Sequence, residues 1–187
     1  MKFDEITDNG HLWAARYDGM PDNILYHTFN NWLDIDWLER FFTEQSADLR
    51  QFFRITNVDD AIFDTMSDAI HLQSLILDIS PEADLDALFK PLHNSRTAEM
   101  LLGKEKARGF RTSGHPSWLR IYALKLEPHT YVITGGAIKL THTMNDRKHT
   151  LLELTRMETV RNFLIEKGVV DVDGMKDFKQ ESDGKRN

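Results

Sequence analysis

The chain has no cysteine among its 187 residues. Disulfide bonds, thiolate nucleophiles and cysteine-ligated zinc are therefore excluded. No apolar run approaches the roughly 18 residues that a membrane-spanning helix requires. The acidic start "MKFDEITDNG" also has no hydrophobic segment of the kind found in secretory signals. We therefore expect a cytoplasmic protein that has no membrane partner.

Common catalytic and metal-binding patterns are missing as well. The 8 histidines do not form an H-E-x-x-H pair, and the many aspartates do not take the spacing of a calcium loop. There is no G-x-S-x-G nucleophile motif, and the glycine pair in "YVITGGAIKL" has no phosphate-loop pattern around it. We predict that the protein uses no metal and no cofactor.

Charge is distributed very unevenly along the chain. Residues 1–95 carry 6 Lys and Arg against 18 Asp and Glu, a net −12, whereas residues 96–167 carry 13 against 7, a net +6. An asymmetry of this size indicates separate electrostatic roles, unless the acidic helices only present solvated faces. We predict an acidic, mostly helical region over 1–95, a basic α/β part over 96–168, and a flexible tail over 169–187.

Helical periodicity dominates the acidic half. Leu25, Phe29 and Trp32 recur at the spacing of one helix face, which predicts a helix after a short N-terminal strand. Asp34 and Asn57 stand where the next two helices should begin, and both residue types favour N-caps. We interpret one set of aromatic residues in this half as core residues because their spacing is helical: Trp13, Trp32, Trp37, Phe41, Phe42, Phe52 and Phe53.

The basic half predicts an antiparallel hairpin followed by a helix. "WLRIYALKL" (118–126) alternates as a strand does, and "YVITGGAIKL" (131–140) follows after a short turn. The adjacent Gly135 and Gly136 indicate a β-bulge or a close approach of another segment. Thr150 and Glu153 have the spacing of a capping box for a last helix that ends at Gly168. The predicted fold class is α+β.

The end of this hairpin carries many cationic and proton-transferring side chains. RNA can be cleaved without metal by its own 2′-hydroxyl if the protein supplies a base, a cation and a proton donor. A solvated basic rim is the alternative interpretation. The candidate catalytic residues are Arg120, Tyr122, Lys139 and His142, and the candidate RNA-binding residues are Arg147, Lys148 and His149.

The order "WLRIYALKL", "YVITGGAIKLTHTM" and "ELTRMETVRNFL" resembles the RelE/HigB-like toxin superfamily over residues 90–167. The resemblance implies a small antiparallel RelE-like sheet with a C-terminal helix, and ribosome-dependent cleavage of mRNA. It also implies a neutralising antitoxin protein as partner. By position, Arg120 and Lys139 correspond to phosphate-binding cations, and Tyr122, His142 and Lys148 to groups that transfer protons.

The sequence therefore predicts a toxin-like endoribonuclease that cleaves mRNA at the ribosome, within a toxin–antitoxin or phage-defence system. The expected partners are mRNA or the ribosome, and an antitoxin. The alternative is a non-catalytic interaction protein whose acidic helices bind a basic partner.

Overall fold

The computed structural model describes residues 1–92, 101–110 and 114–184, with side chains as far as Glu181. This part of the chain forms one sheet and several helices, so the predicted α+β class is confirmed. The strands are β1 Lys2–Glu5, β2 Leu12–Arg16, β3 Phe89–Pro91, β4 Gly103–Arg108, β5 Leu119–Glu127 and β6 Thr130–Ile138. The helices are α1 Ile24–Trp32, α2 Ile35–Glu44, α3 Ser46–Asp48, α4 Val58–Ile76, α5 Leu85–Leu88, α6 Lys148–Glu166 and α7 Val172–Gly184.

The sheet has six strands in the order β1-β2-β6-β5-β4-β3. It is larger than the small antiparallel sheet expected from the sequence, and it is mixed, because β2 and β6 run parallel with Leu12 opposite Tyr131. The other described pairs are antiparallel. Residues on both sides of position 95 build it, since β1, β2 and β3 come from the acidic half. The four residues Leu12–Ala15 of β2 are all buried, as suits a strand in the interior of a sheet.

The predicted hairpin is confirmed as β5 and β6, and it contains the expected bulge. Tyr122 lies opposite Gly135, but Ala123 lies opposite Ile133, so Thr134 is the extra residue. The two glycines face opposite sides of the sheet. A Cβ on Gly135 would overlap the carboxylate of Glu153 in α6, and a Cβ on Gly136 would lie 2.6 Å from Thr28 Cγ2 in α1. The glycine pair therefore lets helices approach both faces of β6.

The helices of the acidic half form a layer on the α1 face of the sheet, and α6 covers part of the other face. Trp32 and Phe42 are fully buried between the layer and the sheet, close to the buried Trp118, which confirms the core interpretation for Trp32 and Phe42. Asn57 caps α4 as predicted, because its side chain accepts a hydrogen bond from Asp59 N at 3.1 Å.

The C-terminal segment is a helix where the sequence analysis predicted a flexible tail. In α7, Met175 is fully buried, and the ring of Phe178 lies 6.0 Å from that of Phe3 in β1. Lys179 Nζ also donates to Glu5 Oε2 at 2.8 Å. These contacts hold residues 172–184 against the outer strand of the sheet, and residues 185–187 lie outside the described part.

Candidate functional site

A cavity of about 440 Å³ opens on the face of the sheet that α6 covers. Its floor is formed by two cross-strand pairs of β4 and β5, Lys106 with Tyr122 and Arg108 with Arg120. Lys139 follows β6, and His142 belongs to the loop that leads to α6. All four predicted catalytic residues therefore line the same cavity. The described lining residues are Leu92, Lys106, Arg108, Arg120, Tyr122, Lys139, His142, Thr143, Met144, Asn145 and Leu154.

Four of these lining residues are cations, and no described lining residue is acidic. Burial and then the charge of Arg108 lower the pKa of Arg120 to about 10. Burial and then the neighbouring arginines also lower the pKa of Lys106. The pKa of Lys139 is lowered in the same way, first by burial and then by Arg120. The cations therefore repel one another, and a bound anion would relieve that repulsion.

Three of the four cations are oriented by neutral backbone carbonyls. Arg120 Nη1 donates to Ser117 O at 2.8 Å, and Lys106 Nζ donates to Leu92 O at 2.9 Å. Lys139 Nζ donates to the carbonyls of Thr141 and His142, both at 2.6 Å. Carbonyl oxygens fix these side chains without cancelling their charge.

Arg108 and Tyr122 keep hydrogen-bonding capacity for a ligand. Arg108 is paired with Arg120 through the β4–β5 ladder, but its exposed side chain makes no hydrogen bond or ion pair with any residue in the described ranges. The Tyr122 side chain is 0% exposed, and its hydroxyl has no hydrogen-bond partner there. Burial raises the pKa of Tyr122, so the phenol stays protonated. A buried hydroxyl without a partner costs about 1–3 kcal/mol, which an acceptor atom of a ligand would remove.

Glu153 is a buried group that the sequence analysis placed wrongly. The predicted capping box does not form, because α6 begins at Lys148, and the Thr150 hydroxyl instead donates to Met144 O at 2.6 Å. Glu153 is 3% exposed and lies over Gly135, beside the strand that carries Tyr122.

One oxygen of Glu153, Oε1, accepts from Arg156 Nη1 at 2.6 Å, and Oε2 lies over Gly135, where the Gly136 N–H also acts on the carboxylate. Burial raises the pKa of Glu153 to about 7, against the opposing effect of Arg156. The carboxyl therefore changes charge near neutrality, next to the floor of the cavity.

The predicted RNA-binding residues do not line the cavity. Arg147 forms two hydrogen bonds with the buried carboxylate of Asp48, Nε–Oδ2 at 2.6 Å and Nη2–Oδ1 at 2.5 Å. His149 Nε2 is 2.9 Å from Ile138 O, and its ring lies 5.4 Å from that of Phe41. Both side chains therefore join α6 to the rest of the fold. Lys148 is exposed.

His142 lies at the mouth of the cavity, where its side chain is exposed and its ring is 5.1 Å from the ring of Phe52. Among the described residues, no group of three or more histidine, aspartate and glutamate side chains is placed to hold a metal ion. The described helices include none with the length and apolarity needed to cross a bilayer. In the comparisons with known proteins, no family model, no curated protein and no solved structure matches this chain.

Proposed function

We propose that the chain is a toxin-like endoribonuclease that cleaves RNA without a metal ion. The observation that carries the proposal is the cavity itself, which brings Lys106, Arg108, Arg120 and Lys139 together with the unpaired hydroxyl of Tyr122 and has no carboxylate among its described lining residues. A phosphodiester is the common biological anion that offers several acceptor oxygens to such a set of donors. Cations in a half-buried site also stabilise the extra negative charge that develops on phosphorus during cleavage.

The proposed reaction uses the 2′-hydroxyl of the RNA as nucleophile. The 2′-oxygen attacks phosphorus, the bond from phosphorus to the 5′-oxygen breaks, and a 2′,3′-cyclic phosphate and a 5′-hydroxyl are formed. His142 accepts the 2′-hydroxyl proton, and water at the open mouth protonates the leaving oxygen. Because Tyr122 stays protonated, its role is to donate a hydrogen bond to a phosphate oxygen, while Arg120 and Lys139 hold the charge.

The arrangement around the cavity supports the toxin class. The resemblance to RelE/HigB-like toxins rests on an arginine-tyrosine strand, a glycine-containing strand, a lysine and a final helix in that order. In this chain β5, β6, Lys139 and α6 follow that order, with α7 as an additional helix after α6, and β5, Lys139 and α6 supply lining residues of the cavity. The proposal therefore extends to mRNA on the ribosome as substrate and to an antitoxin as neutralising partner.

The cleavage proposal is tested with purified protein, a labelled single-stranded RNA and EDTA, with and without ribosomes. We expect 2′,3′-cyclic phosphate ends, and no cleavage where a 2′-deoxy nucleotide precedes the scissile bond. Arg108→Ala should slow cleavage by about 10² or more, since it removes a cation that holds no described part of the fold together. Arg40→Ala, which removes the same charge from an exposed position of α2, is the matched control.

A second experiment tests the cellular part of the proposal. Induced expression in a bacterial host should arrest growth and deplete intact mRNA, and Arg108→Ala should relieve the arrest while Arg40→Ala should not. Normal growth with soluble wild-type protein, together with intact RNA in the purified assay, would show that the protein is not an endoribonuclease. Growth arrest that Arg108→Ala leaves unchanged would show that the cavity is not its site.

A further inference from the structure

A line of large apolar side chains is exposed along α4, on the far side of the molecule's helical layer from its core. Phe63, Ile70 and Leu77 are 72%, 59% and 38% exposed, respectively. Their spacing of seven residues aligns them along one side of the helix. Met66 and Gln73 are half-buried and lie between these three residues, so that the five positions follow the alternating spacing of three and four residues seen in a coiled-coil seam. We call Phe63, Met66, Ile70, Gln73 and Leu77 the α4 seam.

The exposed residues of the α4 seam lie outside the core, and Met66 packs against the edge of the core. The opposite side of α4 supplies the core contacts through Ala61, Ala69, Leu72 and Ile76, all of them fully buried. Single exposed apolar residues are common on protein surfaces and need no explanation. Phe63 and Ile70 on the 19-residue α4, with Leu77 directly after its end, form a strip of the kind that a second amphipathic helix covers in helix-to-helix recognition.

Charge identifies the kind of helix that fits. Residues 57–80 contain five aspartates and no lysine or arginine. Three of the aspartates are exposed, Asp59 and Asp60 at the start of α4 and Asp78 just after its end. We infer that the α4 seam binds an amphipathic helix of a partner protein, with an apolar stripe against the seam and lysine or arginine opposite these carboxylates.

The same charges disfavour a second copy of this chain as the occupant. An antiparallel pair of α4 helices would bring Asp59 and Asp60 of one copy towards Asp78 of the other, and a parallel pair would bring like ends together. Both arrangements place carboxylates opposite carboxylates, which lowers affinity and suppresses self-pairing. The inference does not depend on the ribonuclease proposal, since the cavity lies on the α6 face of the sheet.

The test uses the full chain and two designed helical peptides of the same 19-residue length as α4. Both carry leucine at the two-heptad seam positions, and one has lysine at each flanking position where the other has glutamate. In fluorescence anisotropy we expect the lysine peptide to bind and its affinity to fall as salt rises, while the glutamate peptide does not bind. The double variant Phe63→Gln, Ile70→Gln should bind the lysine peptide about tenfold more weakly or worse.

Leu151→Gln is the matched control, because it removes an exposed leucine from a different helix, α6. Circular dichroism is used to check that each variant is folded. We expect the variants to fold because the substituted side chains are exposed. No binding of the lysine peptide, equal binding of both peptides, or unchanged binding by the double variant would overturn the inference. Concentration-dependent dimers of the wild type that the double variant abolishes would also overturn it, since the occupant would then be a second copy.

Discussion

The close contact between Gly135 and Glu153 allows a quantitative test of how α6 is seated on the sheet. The three heavy atoms nearest to a Cβ built on Gly135 all belong to the Glu153 carboxylate group, with Cδ at 2.9 Å and Oε1 at 3.5 Å. Gly135→Ala must therefore displace a buried carboxylate that is paired with Arg156. Overpacking of this kind costs about 1–3 kcal/mol of the free energy of unfolding.

Removal of Glu153 should reverse the sign of that effect. In a Glu153→Ala background the crowding atoms are gone, and alanine is favoured over glycine in a strand interior by roughly 0.5–1 kcal/mol. The coupling between the two substitutions should therefore be on the order of 2–3 kcal/mol. Gly136→Ala is the control, because its Cβ would meet Thr28, Ile121 and the Arg120 carbonyl instead, so Glu153→Ala should not rescue it.

Urea unfolding followed by tryptophan fluorescence measures all of these variants, since 4 tryptophans report on the core. Equal destabilisation by Gly135→Ala in the wild-type and Glu153→Ala backgrounds would refute the reasoning. It would mean that the glycine is needed for the backbone of the bulge and not for the approach of α6.

Four further predictions follow from the site and the fold. Burial raises the pKa of Glu153 from 4.5 to about 7, so the folded state keeps a proton that the unfolded state loses. Stability should therefore fall by on the order of 3 kcal/mol between pH 4.5 and 7, and a Glu153→Gln variant with the same slope would contradict this. Inorganic phosphate at about 100 times its dissociation constant should stabilise the wild type by about 2.7 kcal/mol. An equal stabilisation of the Arg108→Ala variant would show that phosphate binds outside the cavity. Arg147→Ala should lower the Tm because it leaves the Asp48 carboxylate buried without its partner, whereas Lys148→Ala should not; equal Tm values would show that the ion pair is dispensable. Asn57→Ala should lower the free energy of unfolding by about 1 kcal/mol through loss of the α4 cap. An unchanged midpoint in urea unfolding would disprove this prediction.

Local features of the fold were predictable from the sequence because local chemistry determines them. Asp34 and Asn57 cap the helices that follow them, since each side chain accepts a backbone N–H at the helix start. The alternation of apolar and polar residues predicted β5 and β6. The adjacent Gly135 and Gly136 correctly indicated a bulge, and they also lie where α6 and α1 approach the strand closely. The four catalytic candidates line one cavity because β5, the end of β6 and the loop after it are consecutive in sequence.

Features that depend on distant contacts were not predictable in this way. Thr150 and Glu153 have the spacing of a capping box. However, the Glu153 carboxylate packs over Gly135, and α6 begins earlier, at Lys148. Lys106 and Arg108 lie on β4, whose position beside β5 is a property of the whole sheet. The tail prediction failed because Met175 and Phe178 become helical only by packing near β1.

The parallel pairing of β2 with β6 affects how the chain can fold during synthesis. Residues 12–14 pair with residues 131–133, so β2 has no inner neighbour until nearly the whole sheet has been made. At 5–20 residues per second, the intervening stretch takes on the order of ten seconds to translate. For that time β2 lacks β6 at its edge, and Trp13 lacks Lys179 of α7, whose Nζ lies 5.3 Å from the centre of its ring in the finished protein. We therefore expect the emerging chain to need protection of this open strand edge, for example by a ribosome-bound chaperone, until β6 has been made.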